Sequence, residues 1–165
     1  MSTIADPEAS YGALLAQIRA GIAGRDIRLV GIHSGGAWIA ERLHQDLGLA
    51  APLGTLSSAF HRDDYGKRRY LPAESRQTEL PFDVRGADLV LVDDILYTGR
   101  TVRAALNELF DYGRPNKVEL AVLIDRGGRE LPIEARYCGA VHPLDAQASF
   151  EFSRDAHGRF ALRLV

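Results

Sequence analysis

The sequence contains one cysteine, has a net charge near zero and lacks a long apolar run, and each of these features excludes a class of protein. Its one cysteine, Cys138, cannot form an internal disulfide, and no Cys/His cluster has zinc spacing, so we expect a reducing compartment. The 20 Lys and Arg residues nearly balance the 22 Asp and Glu residues, and the net charge of -2 excludes a global basic field of the kind that drives non-specific nucleic-acid binding. No apolar run approaches the roughly 20 residues that cross a bilayer, and the residues after Met1 do not resemble a secretory signal. We therefore expect a cytoplasmic protein with no membrane partner.

What is present suits one folded domain. The chain has 165 residues, of which 46% are hydrophobic. Domains typically contain about 100 to 200 residues, and one of this length buries roughly two thirds of its unfolded surface. Because the sequence shows neither an internal repeat nor an interdomain linker, we expect a single domain over residues 1–165.

Helical and strand patterns alternate along the chain. An alternating C-terminal segment, with Phe150 and Phe152 before a turn and Phe160 and Leu162 after it, predicts a hairpin. This order predicts an α/β fold: a mostly parallel twisted sheet flanked by helices, with the antiparallel C-terminal hairpin at its edge. The predicted elements before the hairpin are a helix over about 10–23, a strand over 27–32, a helix closed by Gly48, strands over about 54–60 and 88–92, a helix stopped by Gly113, and strands over 118–124 and about 136–139.

The longest segment without a hydrophobic period is also strongly basic. It runs over about 61–80 and contains Arg62, Lys67, Arg68 and Arg69. A segment of this length inside a compact domain is usually a functional loop or a disordered one. We expect a flexible basic loop, and the alternative is an ordinary solvated surface loop.

The ligand-binding residues are expected just after the strands, because ligands of open α/β sheets bind beyond the carboxyl ends of the strands. Thr98-Gly99-Arg100-Thr101 opens a helix, where backbone N–H groups, the helix dipole and two hydroxyls suit a phosphate monoester. Asp93 and Asp94 precede this turn, and a ribose diol or hydrated Mg²⁺ would suit two adjacent carboxylates. The simpler alternative is that the acidic pair caps a strand turn and Thr98 is an ordinary N-cap. The combined string favours a site for a phosphorylated sugar.

The string LVLVDDILYTGRT, residues 89–101, resembles the phosphoribosyl-pyrophosphate (PRPP) signature of type I phosphoribosyltransferases. A longer region narrows the resemblance. ELPFDVRGADLVLVDDILYTGRTVRAALNELFDYGRP and LAVLIDRGGRELPIEARYCG are similar to bifunctional pyrimidine-operon attenuation regulators and uracil phosphoribosyltransferases, and HRDD at 61–64 lies where that family has an RDD motif. The match runs over about 28–139.

The resemblance implies that uracil and PRPP are converted to UMP and pyrophosphate through a transition state like an oxocarbenium ion. It assigns Asp93 and Asp94 to the ribose, with Mg²⁺ carried mainly by PRPP nearby, and makes Arg62 a catalytic candidate. Tyr97 stands where purine-using relatives usually carry Asp, which favours a pyrimidine. The remaining implied contacts are Tyr97, Thr98, Gly99, Arg100 and Thr101 for the 5′-phosphate, Ser34, Gly35, Gly36, Lys67, Arg68 and Arg69 for pyrophosphate, and Asp125, Arg126, Leu131, Pro132 and Ile133 for uracil.

Two positions depart from the family pattern, one in the loop that contacts pyrophosphate in the family and one in a loop near the family's proposed RNA surface. Ser34-Gly35-Gly36 replaces the usual T-R-G, so one cation is missing, and Gly128 replaces the His of DRGHREL. The alternative reading is a regulator that senses UMP or PRPP and binds the leader mRNA of a pyrimidine operon, with weak or vestigial catalysis. A third reading is a noncatalytic receiver-like domain, although receivers carry their acidic pair after the first strand. The family also implies a homodimer or higher homo-oligomer. The candidate basic face for RNA comprises Arg19, Arg25, Arg28, Arg126 and Arg129.

Overall fold

The computed structural model describes residues 3–57 and 77–165. It contains three helices and seven strands within those residues. The predicted strand over about 54–60 ends at Leu56 in this part of the chain, and residues 58–60 lie outside the described residues. In chain order the elements are α1 (Pro7–Gly21), β1 (Ile27–Ile32), α2 (Gly35–Leu47), β2 (Gly54–Leu56), β3 (Asp88–Leu96), α3 (Arg100–Asp111), β4 (Lys117–Asp125), β5 (Tyr137–Val141), β6 (Phe150–Arg154) and β7 (Phe160–Leu164).

The five strands β1 to β5 form one sheet in the order β2-β1-β3-β4-β5, and every pair in it is parallel. The α/β fold with a parallel sheet is therefore confirmed. The hairpin is also present, but β6 and β7 pair only with each other in a separate sheet. The expectation that the hairpin forms an edge of the main sheet was wrong, because its apolar side chains pack against α1 and α2 instead.

Helices cover both faces of the sheet and enclose two apolar cores. On one face, α1 and α2 pack with the hairpin over side chains such as Val90 and Leu123. On the other face, α3 packs Val102 and Leu109 over the remaining inward side chains of β1, β3 and β4. Because α2 follows β1 and α3 follows β3, the two connections leave the sheet toward opposite faces, and a crevice opens between β1 and β3.

The first helix begins earlier than its apolar period predicts. Asp6 is the N-cap residue, its side chain accepts a hydrogen bond from the Glu8 N–H at 3.2 Å, and Pro7 occupies the first turn. Proline suits that position because its missing N–H would have had no partner inside the helix. The apolar positions Tyr11, Leu14 and Ile18 face the core. The polar first turn carries no hydrophobic signal, which explains the misplaced start.

Strand β3 is four residues longer than predicted. Its pairing with β1 stops at Val92, but its pairing with β4 continues to Leu96, which lies opposite Asp125. Asp93 and Asp94 therefore lie inside the strand, not after it. The prediction from the apolar run was wrong because pairing with β4, which a local pattern does not reveal, extends the strand through two charged residues.

Within the described ranges, none of the helices combines the length and the apolar composition that crossing a membrane would take.

Candidate active site

The candidate site lies in the crevice between β1 and β3, at the carboxyl edge of the sheet. The glycine loop, residues 33–36, follows β1, and the phosphate turn, residues 97–101, follows β3. The base-end loop, residues 125–133, begins at the end of β4 and lies next to the phosphate turn. The sheet order thus brings together three segments that the sequence predicts separately.

The acidic pair is buried where this crevice begins. Asp93 and Asp94 are 3% and 6% exposed. Asp93 Oδ1 accepts the Asp94 N–H at 2.9 Å, and Asp94 Oδ1 accepts the Ile95 N–H at 2.7 Å. These bonds stabilise the carboxylates where β1 no longer pairs with β3. The pair therefore lies at the start of the crevice, with its oxygens oriented by the backbone.

The glycine loop contacts the acidic pair directly. A Cβ placed on Gly35 would overlap the Asp94 carboxylate, and one placed on Gly36 would overlap the Val92 carbonyl oxygen. Both glycines belong to the first turn of α2, for which Ser34 is the N-cap residue. Backbone N–H groups at a helix N-terminus favour anions, so this contact places an anion-binding turn beside the carboxylates.

The phosphate turn is built around a glycine that no other residue could replace without strain. Gly99 has a φ of 96°, and a Cβ there would lie 3.0 Å from Ile133 Cγ1. Thr98 and Thr101 are buried, and Thr98 Oγ1 accepts the Arg100 N–H at 3.1 Å. Gly99, not Thr98, is the N-cap residue of α3. The turn thus presents the start of a 12-residue helix to the crevice.

The base-end loop is tied to the phosphate turn by its backbone and by Arg129. The N–H groups of Glu130 and Leu131 donate to the Thr98 carbonyl at 2.9 and 3.1 Å. Arg129 donates to the Tyr97 carbonyl at 2.8 Å, to the Ile133 carbonyl at 2.9 Å and to Asp125 Oδ2 at 2.6 Å. The guanidinium therefore joins both ends of the loop to the turn.

The contacts of Asp125 favour its ionised form. Burial alone would raise the pKa of its carboxyl, but the hydrogen bonds from Arg129 and from the Gly127 N–H outweigh it, so the pKa lies below its ordinary value. The carboxylate is engaged inside the loop. It shapes the base-end loop through these internal bonds.

Arg126 is also used inside the protein. It is 4% exposed, donates to the Ala148 and Asp145 carbonyls at 2.9 and 3.0 Å, and stacks on the Tyr97 ring at 3.8 Å. Its Nε has no hydrogen-bond partner among the residues described. Leu131 and Ile133 lie against Gly99, and Pro132 is exposed. Of the predicted uracil residues, Asp125 thus bonds within the base-end loop, and Arg126 bonds to the segment before β6 and stacks on Tyr97.

The structure adds Arg129 to the site, where the sequence analysis does not place it. From sequence, Arg129 is predicted only for the candidate basic face, because a cation in a loop carries no periodic signal. Arg100, predicted for the phosphate, directs its guanidinium to Glu130 at 3.2 Å on the exposed side of the loop. The side-chain hydrogen bond from Arg100 lowers the pKa of Glu130.

Four predicted residues, Arg62, Lys67, Arg68 and Arg69, lie outside the described residues. The residues flanking that segment are described. Thr55 and Glu79 exchange two backbone hydrogen bonds at 2.8 and 2.9 Å, and the Ser57 N–H donates to Thr78 Oγ1 at 2.9 Å. Because β2 is parallel to β1, Ser57 and its partner Thr78 lie at the carboxyl edge of the sheet, where the site also lies.

The candidate basic face for RNA is divided between the two ends of the sheet. Arg25 pairs with the buried Glu119 at 2.9 Å at the amino edge, beside a cleft of about 470 Å³ that Arg28 also lines. Arg126 and Arg129 follow the other end of β4. The nine residues of that strand separate the two groups by about 25 Å at roughly 3.3 Å per residue. These five arginines do not form one surface.

Comparisons with known proteins agree with this geometry. A family model described as the phosphoribosyl transferase domain matches residues 3–150. The bifunctional protein PyrR of Ralstonia nicotianae is 52% identical over 159 residues, covering 94% of this chain and 90% of the relative. The PyrR protein of Pseudomonas fluorescens is 44% identical over 157 residues, covering 93% of each. A solved hypoxanthine phosphoribosyltransferase from Staphylococcus aureus has the same fold, with a TM-score of 0.65 at 23% identity, covering 86% of this chain and 77% of that chain.

The family model spans all three segments that meet in the crevice, and the relatives match nearly the whole chain. This chain therefore belongs to the phosphoribosyl transferase domain family, within its group of bifunctional PyrR proteins.

Proposed function

We propose that this protein is a uracil phosphoribosyltransferase that converts uracil and PRPP to UMP and pyrophosphate, with a regulatory role in pyrimidine nucleotide biosynthesis. The observation that carries this proposal is the meeting of the acidic pair, the phosphate turn and the glycine loop in one crevice. A sugar that bears a phosphate at one end and a pyrophosphate at the other requires such an arrangement.

The reaction breaks the bond between the anomeric carbon and the pyrophosphate oxygen and forms a bond from that carbon to a uracil nitrogen, which releases its proton to solvent or to the departing pyrophosphate. Positive charge develops on the ribose in between. Asp93 and Asp94 bind the ribose hydroxyls and stabilise that charge from a buried, pre-oriented position. The phosphate turn holds the 5′-phosphate fixed while the anomeric carbon moves. The pyrophosphate leaves with the bonding electron pair toward the N-terminus of α2.

Mg²⁺ enters this proposal with the substrate. In the part of the chain that the structure describes, no three His, Cys, Asp or Glu side chains form a group able to hold a metal ion. Two carboxylates with the oxygens of PRPP are a donor set that Mg²⁺ accepts, since it keeps several waters and binds through substrate phosphates. Asp93 and Asp94 would lie nearest to it, and it would neutralise charge on the leaving group. Arg62 as a catalytic residue, and Lys67, Arg68 and Arg69 as pyrophosphate contacts, belong to the same proposal.

The base-end loop supplies the uracil site. Its Asp125 and Arg126 side chains are used internally, so we assign recognition to backbone groups between Asp125 and Ile133, with Leu131, Pro132 and Ile133 as its walls. Uracil offers alternating N–H and C=O groups, which backbone groups complement. Tyr97, the first residue of the phosphate turn, stacks against Arg126 and lies beside Gly128 of this loop.

The decisive assay follows nucleotide formation from PRPP and Mg²⁺ with uracil, hypoxanthine, guanine or orotate. Turnover of uracil alone is expected, and turnover of another base without uracil would end the uracil assignment. Asp93→Asn should lower kcat/KM by roughly 10² to 10³, the cost of one pre-oriented electrostatic contact. Asp88→Asn is the matched control, because Asp88 starts the same strand at the opposite edge, where it accepts from Asn116. Equal kinetics in the two variants would remove Asp93 from the site.

A second function, regulation through RNA, is favoured by the relatives, which are named bifunctional. In that case UMP or PRPP binds the same crevice, the leader mRNA of a pyrimidine operon binds elsewhere, and catalysis is weak. Salt-dependent binding of a leader hairpin that tightens with UMP would support this function. No binding at low salt would exclude it. We further propose a single cytoplasmic domain over residues 1–165 that assembles as a homodimer or higher homo-oligomer.

A further inference from the structure

The C-terminal hairpin packs against the helix that begins at the glycine loop. The family model ends at residue 150, so most of β6 and all of β7 lie beyond it. From β6, Phe152 reaches α2, where its ring lies 5.9 Å from that of Trp38. The hairpin therefore contacts the segment that forms one wall of the crevice.

Phe152 also confines Gly35. The position that a Cβ on Gly35 would take lies 2.9 Å from Phe152 Cδ1 and overlaps the carboxylate of Asp94. The first residue of α2 is thus enclosed between an aromatic ring and a carboxylate of the acidic pair. Any shift of the ring opens one side of this enclosure.

The ring itself is held by a rigid set of contacts. Phe152 packs on Phe160 with centroids 5.2 Å apart. Arg42 of α2 stacks on Phe160 at 3.7 Å and pairs with Glu8 at 2.6 Å, and Arg154 pairs with Glu41 of α2 at 2.7 Å. These contacts join the hairpin to α2, and Phe152 lies beside Gly35 at the crevice.

The glycine loop depends on its backbone more than most anion-binding loops do. Ser34, Gly35 and Gly36 carry no cationic side chain, so these three residues can hold an anion only through their backbone N–H groups and the Ser34 hydroxyl. A long cationic side chain can adjust to a shifted anion, but a backbone N–H cannot. What holds the backbone therefore decides how well the anion binds.

We propose that Phe152 is a positioning residue for the pyrophosphate end of the site. It holds Gly35 against Asp94 so that the N–H groups at the start of α2 face the pyrophosphate. This inference rests on the proposed function for the identity of the anion. It assigns a role in substrate binding to a hairpin that the family model does not include.

The test compares Phe152→Ala with Phe150→Ala. Phe150 lies on the same strand and is likewise partly buried against the core, and its ring centroid lies 5.3 Å from that of His142. Calorimetry with Mg²⁺-pyrophosphate should show affinity lowered roughly tenfold in Phe152→Ala and within twofold of the parent in Phe150→Ala, since misplacement by about 1 Å costs up to 10². In steady-state assays the KM of PRPP should rise and the KM of uracil should stay unchanged.

Equal weakening in both variants would overturn the inference, as would equal rises in the KM of both substrates, because general loosening predicts both. Thermal midpoints show whether each variant is folded. If Phe152→Ala does not fold, Phe152→Leu takes its place. It keeps most of the apolar contact, so it should lower pyrophosphate affinity by less than tenfold but by more than Phe150→Ala does. Pyrophosphate binding without uracil turnover would refute the proposed function alone, whereas a parent protein that binds no pyrophosphate would refute this inference.

Discussion

Replacing Arg129 by Met should destabilise the protein and loosen its site together. Arg129 makes three hydrogen bonds, to the Tyr97 and Ile133 carbonyls and to Asp125, and its side chain is 25% exposed. Met keeps much of the apolar stem but removes all three bonds. At about 1 kcal/mol of net stabilisation for each bond, the loss is about 3 kcal/mol. For a protein of this length that corresponds to a fall in Tm of about 6 to 12 °C.

Thermal unfolding followed by circular dichroism measures this loss. Arg163→Met is the matched control, because Arg163 pairs with Glu151 at the surface with its side chain 70% exposed, and such pairs contribute little. The KM of PRPP should also rise in Arg129→Met but not in Arg163→Met, since Arg129 donates to the carbonyl of Tyr97, the first residue of the phosphate turn. If Arg129→Met unfolds within 2 °C of Arg163→Met, on the scale of about 2 to 4 °C for each kcal/mol, the three bonds do not hold the loop as argued.

Three further outcomes are expected. Gly128→Ala should lower kcat/KM for uracil, because a Cβ there would lie 2.5 Å from Tyr97 Cε1. Gly127→Ala is the control, because Gly127 has a similar φ of 72° against 82° for Gly128 but a Cβ there meets nothing within 4 Å. Equal kinetics in the two variants would contradict the reasoning. Gln17→Ala should promote concentration-dependent association, measured by light scattering. The Gln17 amide accepts from the Cys138 N–H and donates to the Cys138 carbonyl, and so covers the unpaired edge of β5. Unchanged light scattering would show that this edge does not cause association. The free energy of unfolding should fall as the pH drops below about 4, because the pKa of Glu8, lowered by the hydrogen bond from Arg42, and that of Asp125 both lie below their unfolded values. Both carboxylates therefore stabilise the fold at a pH above the unfolded pKa, and this stabilisation is lost as the pH falls through the folded pKa. Denaturant titrations that give the same free energy of unfolding at pH 3 and pH 6 would refute this.

Local patterns were enough to predict most of the elements. The strand over 27–32 is confirmed in both bounds, because its apolar run is short and ends in a glycine loop. Helix α2 ends before Gly48, which adopts the left-handed conformation with a φ of 63°. The end of β3 was wrong by four residues, because pairing with β4 carries the strand through Asp93 and Asp94. Strand ends depend on the neighbouring strand, which a linear pattern does not contain.

The site also has a part that local patterns predict and a part that depends on contacts between distant segments. The acidic pair and the turn at 98–101 were found from sequence, because residue type, strand and helix start are all local. The contact of Gly35 with Asp94 was not, since some sixty residues separate them and the order of strands brings them together. The directions of Arg126 and Arg129 depend on which carbonyls the packed loops offer.

The sequence by itself determined the chemistry that this protein brings: carboxylates and a glycine-rich helix start, each recognisable because its function needs particular residues in a short string. Tertiary structure alone decided which of these groups meet, that the hairpin stands apart from the sheet and lies against α2, and that the five arginines form no single face. The physical reason is that contacts between distant segments depend on sheet order and side-chain packing, and neither leaves a periodic trace in the chain.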